Sequence, residues 1–160
     1  MWNGRKAPSW ETCQTFSGSW GYYRDETTWK DLRQLLVMII DNVSKGGNTI
    51  LNVGPTGRGV FDDRAKERLS GIGRWMKFNS RSIYGCGIAP EGIEAPEGTL
   101  LTYNRERNRL YIHLLDYPIK SLPITFSDKV KYAQFLHDAS EVKVKIPLSV
   151  AGIPRTDVDP

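Results

Sequence analysis

Cysteine is scarce in this chain of 160 residues, which has Cys13 and Cys86 and no others. Two cysteines make no disulfide framework; they allow one bridge or two free thiols, and free thiols are the plainer reading. Long apolar runs are missing too. The longest, residues 35–40, falls far short of the about 20 residues a spanning helix needs, so no membrane span is expected. Met1-Trp2-Asn3-Gly4-Arg5-Lys6 leads into polar sequence, and no signal peptide is visible. The two histidines, His113 and His137, stand on separate β-prone segments without metal-ligand spacing to the cysteines, so no metal site is expected. Charge of one sign is also thin. The net charge is +4, and its densest basic stretch, Arg105-Glu106-Arg107-Asn108-Arg109, falls where a hairpin turn is expected. No basic stripe or nucleic-acid motif accompanies it, so no nucleic-acid partner is read. None of this chooses a compartment.

What is present describes a globular chain: 39% apolar and 25% charged residues, with a mean hydropathy of −0.43. Its character changes near residue 86. Before that point, Leu32, Leu35, Leu36, Ile39, Ile40 and Val43 recur at helical spacing and predict a helix over 28–44. Thr27 or Thr28 can cap its start, and Gly46-Gly47 permits the left-handed backbone that ends it. Val37 and Met38 widen the apolar surface, which predicts packing on more than one side. Asn48-Thr49-Ile50-Leu51-Asn52-Val53 reads as a short buried strand, stopped by Gly54-Pro55. A second helix is predicted over 62–79, capped by Asp62 or Asp63, with Ala65, Leu69, Ile72 and Met76 as its stripe and Trp75 beside them. Ser9-Trp10-Glu11-Thr12-Cys13 would be the end of a preceding strand. The result is two consecutive βα units of a parallel-sheet fold. A closed parallel barrel needs eight such units, so this half reads as the end of something larger.

Beyond residue 86 the pattern is antiparallel β. Strands are predicted over 99–103 and 109–114 around a turn at 104–108, and over 129–136 and 141–146 around His137-Asp138-Ala139-Ser140. Residues 151–160 read as a frayed tail. The fold class is therefore α/β followed by all-β, with a unit over 1–86 and a second over 87–160.

Several motifs yield little. Gly54-Pro55-Thr56-Gly57-Arg58-Gly59 lies between strand and helix but lacks the Gly-Lys-Ser/Thr of a phosphate loop and the glycine order of a dinucleotide fingerprint, so a tight βα turn is the better reading. Asn42-Val43-Ser44 matches a glycosylation sequon inside a predicted helix, where a chance match is the better reading. The stretch from Ser9 to Tyr23 says more. Glu11 follows Trp10 at the expected strand end, and a loop rich in Ser, Gly and aromatics comes next. A carboxyl partly shielded by an indole has its ionised form disfavoured and can serve as a general acid. Aromatic faces suit stacking on sugars. The plain alternative is a surface Glu beside a core Trp.

Trp10-Glu11-Thr12-Cys13, Ser19-Trp20-Gly21-Tyr22, Ser44-Lys45-Gly46-Gly47-Asn48, Leu51-Asn52-Val53-Gly54-Pro55, Glu67-Arg68-Leu69, Gly73-Arg74-Trp75-Met76 and Ser82-Ile83-Tyr84-Gly85 follow one another in a single order. Each is weak alone. Together they resemble the C-terminal part of the α-L-fucosidases of glycoside hydrolase family 29, strongly over 9–86 and more loosely through Lys129-Val130-Lys131-Tyr132-Ala133-Gln134 and Asp138-Ala139-Ser140-Glu141-Val142.

The resemblance implies the last two βα units of a TIM-like (β/α)8 barrel, then a partial antiparallel β-sandwich. It implies a retaining hydrolase that removes terminal α-L-fucose from glycans through an Asp nucleophile and a Glu acid/base, without a cofactor. On the family pattern Glu11 is the acid/base. Trp20 borders the fucose pocket, with a plain packing role as its alternative. The nucleophile and the fucose-binding histidines belong to earlier strands. The segment before Pro8 and the tail after Pro147 do not resemble the family. The chain therefore reads as a fragment, inactive alone, whose exposed barrel edges favour association with itself or a partner. A non-catalytic carbohydrate-binding or interaction module is the competing reading, with Tyr103, Tyr111, Tyr117 and Tyr132 as its candidate aromatic face.

Overall fold

The computed structural model describes residues 10–145 and the backbone of Thr156–Val158. Strand β1 (Glu11–Thr15) is followed by helix α1 (Leu32–Ser44), strand β2 (Asn48–Asn52) and helix α2 (Asp63–Asn79). β1 and β2 pair in parallel, with Glu11 opposite Asn48 and Thr15 opposite Asn52. This is the α/β rhythm that the hydrophobic periodicity predicts.

The boundaries of α1 differ at its start. The cap is Asp31 and not Thr27 or Thr28: its carboxylate accepts the Gln34 backbone N–H at 2.7 Å, while the Gln34 side chain accepts the Asp31 N–H at 2.8 Å. This reciprocal box satisfies two otherwise orphaned amides. Gly46, at φ +77°, ends the helix as expected. α1 buries Leu35 and Ile40. Asn42 is buried as well, and its amide donates to the hydroxyls of Thr12 (2.6 Å) and Thr49 (2.8 Å). The sequon asparagine is thus a pin between helix and sheet.

Side chains alternate along a strand, and residues paired across strands share a face. Thr12 and Thr49 face α1. Glu11, Cys13 and Thr15 of β1, with Asn48, Ile50 and Asn52 of β2, therefore share the opposite face. Cys13 and Ile50 are exposed there, so β2 is covered on one side and is not the buried strand expected.

α2 starts at Asp62, whose carboxylate accepts the Ala65 N–H at 3.0 Å. Its inner face runs through Ala65, Arg68, Ile72 and Trp75, and Leu69 lies outside it, exposed. An arginine takes the place in the stripe that apolar counting assigned to a leucine. Gly71 allows close approach to α1: a Cβ there would meet the Leu32 side chain at 2.7 Å.

Hairpin β3 (Thr99–Asn104) and β4 (Arg109–Leu114) pairs as predicted, with its turn closed by Asn108 at φ 49°. Thr102 pairs with Tyr111 and Leu101 with Ile112, so adjacent positions serve opposite faces. On one face, Thr102 donates to the Ser82 carbonyl at 2.7 Å and lies 2.9 Å from His113 Nε2. Its hydroxyl hydrogen is committed to Ser82, so the His113 ring N–H donates to it. His113 also packs against Trp75 of α2, and burial lowers its pKa to about 4. On the other face, Leu110 and Ile112 pack on the cluster of Leu122, Ile124 and Phe126.

The remaining strands, β5 (Leu122–Ile124), β6 (Val144–Lys145) and β7 (Thr156–Val158), form an antiparallel sheet in the order β5-β7-β6. The strand expected over 129–136 does not form; it keeps a single bridge, Gln134 to Glu141. The turn at 137–140 does form, with the Phe135 N–H donating to the Ser140 carbonyl at 2.9 Å. Of the strand expected over 141–146, Val144–Lys145 remains, and residue 146 lies outside the described residues. Within the expected tail, Thr156–Val158 is a strand and not frayed; residues 151–155, 159 and 160 lie outside the described residues. Alternation fixes which side of a strand faces inward but not which edge it joins, and β7 occupies the edge of β5.

Candidate functional site

Because β1 and β2 run parallel, their C-terminal ends lie side by side, Thr15 against Asn52. The loops leaving these two ends build a small cleft of about 10 Å³, room for one water, so that it is one wall of any sugar site and not a whole one. Phe16, Tyr22, Tyr23, Glu26 and Trp29 line it from the first loop, and Asn52 and Gly54 close it from the second.

The first loop, residues 16–30, is held along its whole length. The Thr15 hydroxyl donates to the Ser17 carbonyl, the Lys30 ammonium to the Thr15 carbonyl (2.8 Å), and the Lys30 N–H to the Phe16 carbonyl (2.9 Å). The Asn52 amide donates to the Trp20 carbonyl. Gly54 sits directly beneath the loop: a Cβ there would lie 2.3 Å from the Tyr22 backbone nitrogen. Only a glycine lets the two loops touch at this point. The turn that follows is the tight βα connection expected, closed by Gly59 N–H to Thr56 carbonyl (2.8 Å) with Gly59 at φ +77°.

Glu26 is the loop's internal latch. Its carboxylate accepts from the Ser19 hydroxyl (2.7 Å), the Thr28 hydroxyl (2.6 Å) and the Thr28 N–H (2.9 Å). These donors, led by the Thr28 hydroxyl, lower its pKa to about 2. Its contribution is complete above the unfolded value near 4.5 and is lost as pH falls toward 2. A carboxylate so engaged is a fixed acceptor and holds no proton to donate near neutrality.

The residues singled out from sequence fall at different places. Trp20 rides on the rim loop and is 59% exposed. Glu11 is the first residue of β1, not its end: the strand runs on to Thr15, two residues past the expected stop at Cys13. Four residues at about 3.3 Å each put Glu11 roughly 13 Å along the strand from the cleft end. It is exposed, and Trp10 does not shield it, because the Trp10 ring lies against Gly47. Cys13 and Cys86 are both free thiols. Among the described residues no three His, Cys, Asp or Glu side chains cluster as metal ligands, and no helix is long and apolar enough to cross a membrane. Sequence reasoning missed Glu26, Trp29 and Asn52. Their signal is faint: Glu26 and Trp29 stand in no motif, and Asn52 stands in Leu51-Asn52-Val53-Gly54-Pro55 with a partner, the Trp20 carbonyl, that lies in another loop.

A sequence model of the α-L-fucosidases matches residues 2–81, half of the chain, so the likeness begins ahead of the expected start at residue 9. An α-L-fucosidase of Dictyostelium discoideum is 38% identical over 78 residues, which are 48% of this chain and 17% of that protein. Among solved structures, α-L-fucosidase isoenzyme 1 of Paenibacillus thiaminolyticus superposes with a TM-score of 0.84 at 34% identity, over 94% of this chain and 35% of that one. The Thermotoga maritima α-fucosidase in complex with fucose superposes with a TM-score of 0.78 at 28% identity, over 96% of this chain and 36% of that one. The chain spans 17–25% of the length of the curated relatives it matches. The motifs that run in one order through its first half are therefore those of a known enzyme family, and the chain belongs to the α-L-fucosidases.

Proposed function

We propose that this chain supplies two consecutive βα units of a (β/α)8 barrel over residues 1–86, and part of an antiparallel β-sandwich over 87–160, to a retaining α-L-fucosidase. The enzyme would hydrolyse terminal α-L-fucose from fucosylated glycans. In barrels of this kind the reacting sugar sits at the C-terminal ends of the strands. One observation carries the reading: the cleft with its aromatic loop lies at that end of β1 and β2. On this reading Trp20 borders the fucose pocket.

Glu11 lies at the wrong end of β1 for a proton donor, and Glu26 is locked as an acceptor. A retaining pair sits about 5–5.5 Å apart, a separation that carboxyls at opposite ends of one strand do not meet. The reading therefore gives this chain the pocket wall and draws both reacting carboxyls from regions of the relatives that it does not align with. The binding-module alternative has less support. Tyr103 and Tyr111 lie on opposite faces of their hairpin, so they make no common aromatic platform.

The test is a chimera in which this chain replaces the aligned third of the P. thiaminolyticus enzyme. It should hydrolyse 4-nitrophenyl α-L-fucoside. Trp20→Ala should lower kcat/KM by about tenfold or more, and Glu11→Gln by less than about threefold. A folded chimera without turnover would overturn the reading. A Glu11→Gln loss of about a hundredfold or more that azide restores would make Glu11 the proton donor instead.

A further inference from the structure

The rim loop is also gripped from outside, by two arginines of α2 to which the family reading gives no role. Arg64 donates to the carbonyls of Glu26 (3.0 Å) and Arg24 (3.0 Å). Two more of its donors bind the Asp62 carboxylate at 2.6 and 3.0 Å, which fixes the guanidinium in place. One turn on, Arg68 donates to the carbonyls of Lys30 (2.6 Å) and Arg64 (3.0 Å). Both guanidinium groups lie over the ring of Trp29, their carbons 4.8 and 5.1 Å from its centroid. Trp29 is itself a wall of the cleft.

Loop carbonyls at 24, 26 and 30 thus have their partners on α2, and a cleft wall has α2 cations at its ring. We propose that Arg64 and Arg68 are positioning residues: they hold the 24–30 arm of the loop and the Trp29 ring, and so set the sugar-facing cleft at the ends of β1 and β2. Lysine cannot replace either arginine. One ammonium does not span the two carbonyls and the carboxylate that Arg64 binds, and at either position it lacks the planar group that lies on an indole. The inference rests on the fucose-pocket reading for its ligand but not for the clamp itself.

Amide hydrogen exchange on the 160-residue chain tests the clamp, and L-fucose inhibition of the chimeric enzyme tests its link to the cleft. In Arg64→Met and Arg68→Met, segment 17–30 should exchange about tenfold faster while β3 and β4 are unchanged, and the L-fucose affinity of the chimeric enzyme should fall by about tenfold. Arg64→Lys should restore neither. Arg33→Met, which breaks the exposed ion pair with Asp116, serves as the control and should change neither. In the chimeric enzyme the loss should appear in KM, with kcat within about twofold. Unchanged exchange at 17–30, or rescue by Arg64→Lys, overturns the clamp. Faster exchange with undiminished L-fucose affinity overturns its positioning role. If the chimeric enzyme turns over no fucoside, the fucose-pocket reading and the positioning role fall together, while the exchange result on the 160-residue chain still decides the clamp.

Discussion

The β1–β2 pair and the β3–β4 hairpin are similar in size and opposite in how they are covered. The hairpin has α2 and the Ser82 turn on one face and the Leu122–Ile124–Phe126 cluster on the other. Every residue of β3 is buried or half-buried, and β4 carries a histidine made neutral by burial. The parallel pair has α1 on one face and Cys13 and Ile50 exposed on the other. Parallel sheets are ordinarily covered on both faces. The difference shows where each region draws its order from. The hairpin is fixed by its two covers. The parallel pair is fixed through its ends, where the rim loop, Gly54 and the arginines of α2 converge.

The sharpest way to break this contrast is Gly54→Val. Its side chain has no space beside the Tyr22 backbone, so it should cost about 3 kcal/mol or more in urea unfolding and release the rim loop. A tolerated substitution would show that the loop ends do not hold the parallel pair.

On the hairpin side the corresponding probe is pH. His113 has a folded pKa of about 4, below the ordinary histidine value of 6.5, so folding favours the neutral ring. Its contribution is complete above pH 6.5 and falls as pH drops toward 4, because the unfolded chain binds the proton more readily. The loss is of the order of 2–3 kcal/mol. His113→Gln should flatten that slope in urea unfolding at pH 4.5 against pH 7; an unchanged slope would assign the pH dependence elsewhere.

The smallest expected effect concerns the uncovered face. Ile50→Lys should change the unfolding free energy by no more than about 0.5 kcal/mol in urea unfolding. If the uncovered face drives self-association, the substitution should also shift the isolated chain toward monomer in sedimentation. A parent chain that is already a monodisperse monomer would show that this face needs no cover.

Much of this was legible in order along the chain. The α1 stripe, the two glycines after it, Asp62 before α2 and the β3–β4 turn are local signals acting within a turn or two, and they were readable for that reason. The α1 cap was misread because Thr27, Thr28 and Asp31 are all competent caps. What decides among them is that Thr28 is already committed to Glu26 and Gly18. Arg68 in the α2 stripe was invisible because its partner is a backbone carbonyl at Lys30, and no residue type advertises a carbonyl.

The sequence by itself determined the kinds of element, their order and the family, since these depend on periodicity, capping chemistry and the succession of short motifs. Tertiary structure alone decided which end of β1 holds Glu11, which carboxylate stands at the cleft, and which edge β7 joins. A strand that runs two residues past its expected stop leaves a carboxyl at the far end of the sheet, and local sequence carries little information on where pairing ceases. Register and pairing are set by contacts between residues far apart in the chain, and those contacts exist only once the chain has folded.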